Sequence, residues 1–307
     1  MVDFGGKVNG RGSVARRAAG SVVIGLGLAG LACSTTSDAD NDGNGSSGDE
    51  EACSSLDAAG MSTAAAAPPT ELVLPPARGV FDYQLGCAYP VPAGANVVMR
   101  DRTAPADANA YAICYVNGFQ TQPGSDWSGP LDDLILRDSR GDEMIDPEWP
   151  DEYFLDISTP ERRTRLVAVV APWIEGCAES GFDAVEFDNL DSYARSGGLL
   201  TVEHAEAYAA ELIRVAHASL LAVGQKNASE RSAQFRALGF DFSISEQCWE
   251  YDECDQYTAV YGERVFDVEY AASAFERGCD AGRAPSPILR DLELVSPGPG
   301  YVRRECP

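Results

Sequence analysis

Carboxylates in this sequence recur at the C-terminal ends of short β-rich runs. Glu186 and Asp188 end Phe182-Asp-Ala-Val-Glu-Phe-Asp188, Glu246 ends Phe240-Asp-Phe-Ser-Ile-Ser-Glu246, and Glu269 with Tyr270 ends Arg264-Val-Phe-Asp-Val-Glu-Tyr270. Tyr115 and Asn117, Asp156, Asp191, Lys226 and Asn227, and Gln247 hold comparable places on or just beyond such runs. A single strand-end carboxylate is ordinarily a solvated one. Recurrence matters because a parallel barrel brings the C-terminal ends of all its strands to one mouth. Two carboxyl groups meeting there supply the acid and the nucleophile or base that glycoside hydrolysis requires. Acyl transfer by a serine triad finds no Gly-x-Ser-x-Gly elbow. The only histidines are His204 and His217, which excludes a multi-histidine metal centre. No metal or cofactor is expected.

The elements that must position these groups alternate. The remaining β-rich runs are Phe81–Gly86, Asn96–Arg100, Tyr111–Asn117, Tyr153–Ile157, Leu221–Asn227 and Ile288–Leu294. Helices are expected over Pro160–Ser180, opened by Ser158-Thr159-Pro160, and over Thr201–Leu220, with Thr201 as cap and His204 three residues on. Leu166, Val169, Val170, Trp173 and Ile174 recur at helical spacing in the first, as do Tyr208, Leu212, Ile213 and Ala216 in the second. Repeated strand–helix units imply a parallel sheet. We therefore expect an α/β protein, a single-domain (β/α)8 TIM barrel over 76–307, in which one of nine candidate strands, near the front, is surplus. A doubly wound sheet is the alternative, but it lacks a glycine-rich phosphate loop after its first strand.

The front of the chain reads differently. Lys7, Arg11, Arg16 and Arg17 precede the apolar run Ser21–Ala32 and then Cys33. A basic segment followed by a short apolar one reads as an export signal over 1–32, too short and glycine-rich to span a membrane. Cys33 resembles a bacterial lipoprotein acceptor, with simple secretion as the alternative. Residues 33–75 are dominated by small and polar residues and read as a low-complexity tether. Within it Asp38-Ala-Asp-Asn-Asp-Gly43 imitates a calcium loop, but Asp49 stands where a bidentate Glu belongs and no helix flanks it. With Cys33 lipidated, eight cysteines remain for disulfides in an oxidising compartment. Cys248 and Cys254 are expected to pair and brace the loop carrying Trp249, with Cys279–Cys306 and Cys114–Cys177 as further pairings.

Charge narrows the partner. Against 48 Asp and Glu stand 23 Lys and Arg, a net charge of −25. Such a field repels nucleic acid and draws in cations, polycationic chains included. No protein partner is indicated.

Several blocks occur in a telling order: Cys114-Tyr-Val-Asn117, Phe154-Leu-Asp-Ile157, Gly181-Phe-Asp-Ala-Val-Glu-Phe-Asp-Asn-Leu-Asp-Ser-Tyr193, Gln225-Lys-Asn227, Ser245-Glu-Gln-Cys-Trp249 and Val268-Glu-Tyr270. Together they resemble glycoside hydrolase family 114, the endo-α-1,4-polygalactosaminidases, from Phe81 to about Tyr270. The chain departs from the family pattern at Ala184, Glu186 and Ser192, where Gly, Asp and Gly are frequent. The resemblance implies a barrel that cleaves α-1,4-linked galactosamine polymers of exopolysaccharide. If Tyr111–Asn117 is the second strand, Asp188 ends the fourth and Glu246 the sixth, facing each other across the mouth. Asp188 is then assigned as nucleophile and Glu246 as acid/base, with exchanged roles left open. Tyr115, Asp156, Asp191, Tyr193, Lys226, Trp249 and Glu269 are assigned to sugar contacts; Tyr193 and Trp249 either stack on sugars or pack. A lipid-anchored polysaccharide-binding protein without catalysis is the competing reading.

Overall fold

The computed structural model describes residues 66–307. Export signal, Cys33 and the calcium-loop mimic lie outside the described residues. Part of the expected tether does not. Tyr111 Oη donates to the Val73 carbonyl at 2.7 Å and Arg264 Nε to that of Pro75 at 3.0 Å, so 66–75 is docked on the domain.

Nine strands form one curled sheet in sequence order. They are β1 Phe81–Gln84, β2 Val97–Asp101, β3 Tyr111–Asn117, β4 Ala184–Asp188, β5 Ala222–Lys226, β6 Phe242–Glu246, β7 Val265–Glu269, β8 Pro287–Arg290 and β9 Arg303–Glu305. The first eight are parallel, and β9 turns back antiparallel on β8. The helices are α1 Pro160–Glu179, α2 Ser192–Arg195, α3 Val202–Ala218, α4 Ser232–Leu238, α5 Cys254–Tyr261 and α6 Ala272–Ala281. Strict eightfold alternation is not observed. No helix separates β1, β2 and β3, and β8 leads to β9.

The seam beside β1 is closed by side chains. Buried Arg290 of β8 donates to the backbone carbonyl of Tyr83 on β1, and Arg303 of β9 holds the buried Asp82 carboxylate at 2.8 Å. Sequence patterning missed β9 because Arg-Arg-Glu carries no apolar alternation.

The surplus strand is Tyr153–Ile157, not one at the front. This run belongs to an arm between β3 and α1, where Phe154 and Leu155 make isolated antiparallel bridges to Gln120 and Ile135. Its apolar side chains bury against the outer core instead of joining the sheet. Tyr111–Asn117 is therefore the third strand, and Asp188 and Glu246 still end the fourth and sixth.

Alternation sorts each strand into two faces. One set, including Phe81, Tyr83, Met99, Ile113, Tyr115, Ala222, Phe242, Ile244 and Val268, fills the inside of the curl. The other, including Cys114, Val116, Val185, Phe187 and Val223, packs under α1, α3, α4 and α5. Glu186, Asp188, Lys226 and Glu246 share the inward parity. Gly224 makes room there, since a Cβ on it would lie 2.6 Å from Ile244 Cδ1. The cap of α3 is also as read, with Thr201 N–H donating to His204 Nδ1 at 3.3 Å.

Three disulfides match the expected pairings: Cys114–Cys177 ties β3 to α1, Cys248–Cys254 closes the loop from β6 into α5, and Cys279–Cys306 pins the C-terminal segment to α6. Chain entropy ranks two of them. Separations of 63 and 6 residues correspond to about 4 and about 2 kcal/mol. Chemical denaturation of the paired Cys→Ala variants should show the larger loss for Cys114–Cys177.

Candidate active site

The chain makes a left-handed turn directly after each strand that carries a key group. Asn189, Asn227 and Gln247 have φ of 61°, 49° and 63°. Asparagine tolerates this region better than most residues, and two of the three are Asn. Each turn leaves the last inward side chain of its strand at the mouth: Asp188, Lys226 and Glu246.

Lys226 joins them. It is only 3% exposed, and its Nζ lies 2.9 Å from Asp188 Oδ1, 3.2 Å from Tyr83 Oη, 3.3 Å from Glu186 Oε1 and 3.4 Å from Glu246 Oε2. Burial pulls the ammonium down, but Asp188, Glu186 and Glu246 outweigh that and hold it well above the ordinary lysine value. Asp188 also accepts from Tyr115 Oη at 2.7 Å and from the Asn189 N–H at 2.8 Å. Burial pushes the Asp188 carboxyl up; the Lys226 charge and these donors prevail and keep it below the ordinary carboxylate range. Glu246 accepts from Tyr270 Oη at 2.6 Å and from Asn227 Nδ2 at 3.3 Å. The Lys226-facing oxygens of Asp188 and Glu246 can be no further apart than the sum of their 2.9 and 3.4 Å contacts.

Of the residues assigned from sequence, Tyr115, Asp188, Lys226 and Glu246 thus come together. Asp191 directly precedes α2 and Tyr193 lies within it. Asp191 pairs with Arg195 at 3.2 Å, and Tyr193 Oη donates to Glu230 at 3.1 Å. Asp156, Trp249 and Glu269 do not join the cluster. Asp156 accepts from Ser158 N–H at 3.0 Å and pairs with Arg162 at 3.1 Å, at the start of α1. Trp249 is boxed in: its Nε1 donates to the Pro285 carbonyl at 3.2 Å, Gly278 backs the ring, and Arg283 lies 4.8 Å from its centroid.

Glu269 has the outward parity of β7 and is wholly buried. It accepts from the Trp249 and Glu250 N–H groups at 2.7 and 3.3 Å, while Asp267 accepts from Ser245 Oγ at 2.7 Å and Cys248 N–H at 3.2 Å. Burial pushes both carboxyls up. This pair clamps the loop that follows Glu246 from behind.

Three residues at the mouth went unassigned. Tyr83 sits on a front strand, and its inward parity was its only signal. Tyr270 was read at a strand end but given no role. Glu152 lies on the β3–α1 arm, where no strand pattern points to it, and accepts from Asn117 Nδ2 at 2.9 Å and Asn189 Nδ2 at 3.3 Å. Burial and the nearby Asp188 charge raise it to about 7, against the pull of Asn117. Among the described residues, one group of metal-ligating atoms is close-set, Cys248, Cys254 and Asp267, and a disulfide consumes both of its sulfurs. His217 pairs with Asp241 at 2.9 Å and His204 caps α3, so neither histidine serves the mouth.

The arrangement is two carboxylates across a shared ammonium, lined by tyrosine hydroxyls. Residues 61–307 match the model of glycoside hydrolase family GH114. The chain belongs to that family. It is a glycosidase by membership in GH114. No curated protein sequence matches it. Among solved structures it is similar to Ega3 of Aspergillus fumigatus, described in complex with galactosamine, with TM-score 0.61 and 23% identity over 78% of this chain and 99% of that one. It is also similar to the glycoside hydrolase domain of PelA from Pseudomonas aeruginosa, with TM-score 0.47 and 13% identity over 72% and 97%. The first likeness shows the GH114 chain's fold.

Removing the ammonium while keeping the volume tests the cluster. Lys226→Met leaves buried carboxylates unpaired, at a cost of about 3–5 kcal/mol near neutral pH. The Asp188 carboxyl, held low in the folded state, contributes stability above its unfolded pKa and loses it as pH falls through the depressed folded value. Denaturation curves should therefore show the gap between wild type and Lys226→Met narrowing on acidification.

Proposed function

We propose that the protein hydrolyses α-1,4-linked galactosamine-containing exopolysaccharide, acting within the chain and with retention, Asp188 being the nucleophile and Glu246 the acid/base. GH114 membership supports a glycosidase, and the galactosamine in the Ega3 complex supports the sugar. The observation that carries the mechanism is Lys226 in contact with both carboxylates. The limit this sets on their facing oxygens accommodates the roughly 5–5.5 Å carboxyl separation of a retaining pair.

Charge movement explains the shared ammonium. In the first step an Asp188 oxygen bonds to the anomeric carbon, the glycosidic C–O bond breaks, and Glu246 gives its proton to the leaving oxygen. The negative charge has passed from Asp188 to Glu246. In the second step Glu246 takes a proton from water, the resulting hydroxyl bonds to the anomeric carbon, and Asp188 leaves with the charge. Lys226 touches both sites, so one fixed cation serves both half-reactions without reorganising, which is the economy of a preorganised site. Tyr115 Oη steadies Asp188 whenever it is ionised, as Tyr270 Oη does Glu246.

The substrate's protonated amines suit an acidic mouth. Carboxylates accept charge-assisted hydrogen bonds from ammonium groups, and Glu152 lies near Asp188. The net charge of −25 favours encounter with a polycation.

Asp188→Asn and Glu246→Gln should each abolish release of oligosaccharides from partly deacetylated galactosaminoglycan while the fold persists. On an activated aryl glycoside, which needs no acid for departure, Glu246→Gln should keep partial activity and Asp188→Asn none. Wild-type turnover on polymer by either variant contradicts the assignment.

We further propose, from the sequence of residues 1–33, that a lipid on Cys33 tethers the enzyme to the cell envelope. Cys33→Ser should move it from the membrane fraction to the soluble fraction with activity retained; a soluble native protein with an N-terminus beyond Cys33 means simple secretion instead.

A further inference from the structure

Glu186 has no part in the chemistry above, yet it lies against it. It sits on β4 two residues before Asp188, with the same inward parity and no exposure. One oxygen is 3.3 Å from Lys226 Nζ, and the other, Oε2, has no hydrogen-bond partner. A buried ionised carboxylate needs both oxygens satisfied. An orphan oxygen costs less on a neutral carboxyl group, whose carbonyl oxygen accepts from Lys226, than on a carboxylate.

Counting hydrogens gives Glu186 a consequence. The Lys226 ammonium has three N–H donors and four acceptors: Asp188, Tyr83, Glu186 and Glu246. While Glu186 is neutral it competes weakly, and Asp188 has the shortest contact. Once Glu186 is ionised, its contact with the Lys226 ammonium gains the attraction of opposite charges.

We propose that Glu186 is a positioning residue for the reaction: it anchors Lys226 from inside the barrel, and loss of its proton draws the ammonium off the two mouth carboxylates and shuts activity down on the alkaline side. The groups facing Glu186 are Tyr83 from β1, Tyr115 from β3, its register partner, Asp188 from β4, Lys226 from β5 and Glu246 from β6. Burial, opposed by Lys226 and reinforced by Asp188 and Glu246, raises Glu186 to about 8. This is above Glu152, the other mouth carboxyl that titrates near neutrality.

The inference rests on the proposed hydrolysis, and its test separates the two. Glu186→Gln keeps the shape of the neutral acid and cannot ionise. The ratio of variant to wild-type kcat should rise by about tenfold between pH 7 and pH 9, one decade of rate per unit past the titration. Glu186→Ala, which removes the anchor, should lose about tenfold in kcat at pH 7 with KM held. Glu152→Gln should leave the fall above pH 8 in place, because Glu152 titrates lower, at about 7. Carbon-13 titration of the glutamate carboxyls reads Glu186 without any substrate: one resonance should titrate near pH 8 and vanish in Glu186→Gln. Superimposable pH–kcat profiles for wild type and Glu186→Gln, or a Glu186 resonance titrating in the ordinary carboxylate range, overturn the proposal. Absence of hydrolysis by wild type at every pH overturns the proposed function and leaves the carbon-13 result to judge Glu186.

Discussion

One buried ammonium organises this protein. Lys226 lies inside a curled sheet and touches three carboxyl groups from two other strands. Alone, any of these charges would be too costly to bury. Together they are not independent: Asp188 is held ionised by Lys226, and Lys226 is held charged by the carboxyls. The mouth therefore has a defined charge state before any sugar arrives, which is the condition for electrostatic stabilisation without reorganisation.

The rest of the fold keeps three strand ends in register. Inward parity brings Glu186, Asp188, Lys226 and Glu246 onto one face, and left-handed turns at Asn189, Asn227 and Gln247 directly follow Asp188, Lys226 and Glu246. The clamp of Asp267 and Glu269 on the backbone after Glu246, reinforced by Cys248–Cys254, fixes the third of these turns from behind. At the far side Arg290 and Arg303 bridge β8 and β9 to β1, which keeps Tyr83 within reach of Lys226.

Which residues could be read from sequence follows from periodicity. Tyr115, Asp188, Lys226 and Glu246 were legible because each sits at or near the end of a run whose alternation is unbroken. Glu269 is a strand-end carboxylate too, but Val268 and Tyr270 hold the inward places on its strand, so strict counting would have placed it under the helices. Asp156 was read from the run Tyr153–Ile157 as if it were a strand, and Trp249 from a loop, where no period says which way a side chain turns. The apolar run Tyr153–Ile157 imitates a strand because burial against the outer core demands the same residues as a sheet does. β9 and Glu152 are set by contacts between distant segments, and no local pattern encodes them.

The central claim is that Lys226 keeps Asp188 ionised and close enough to Glu246 for a covalent route. Its most direct test is to trap the intermediate. An activated, fluorinated α-glycoside that glycosylates quickly and turns over slowly should leave one sugar on the enzyme, and peptide mass spectrometry should place it on Asp188. An adduct on another residue, or no adduct together with first-formed product of β configuration, would contradict the account.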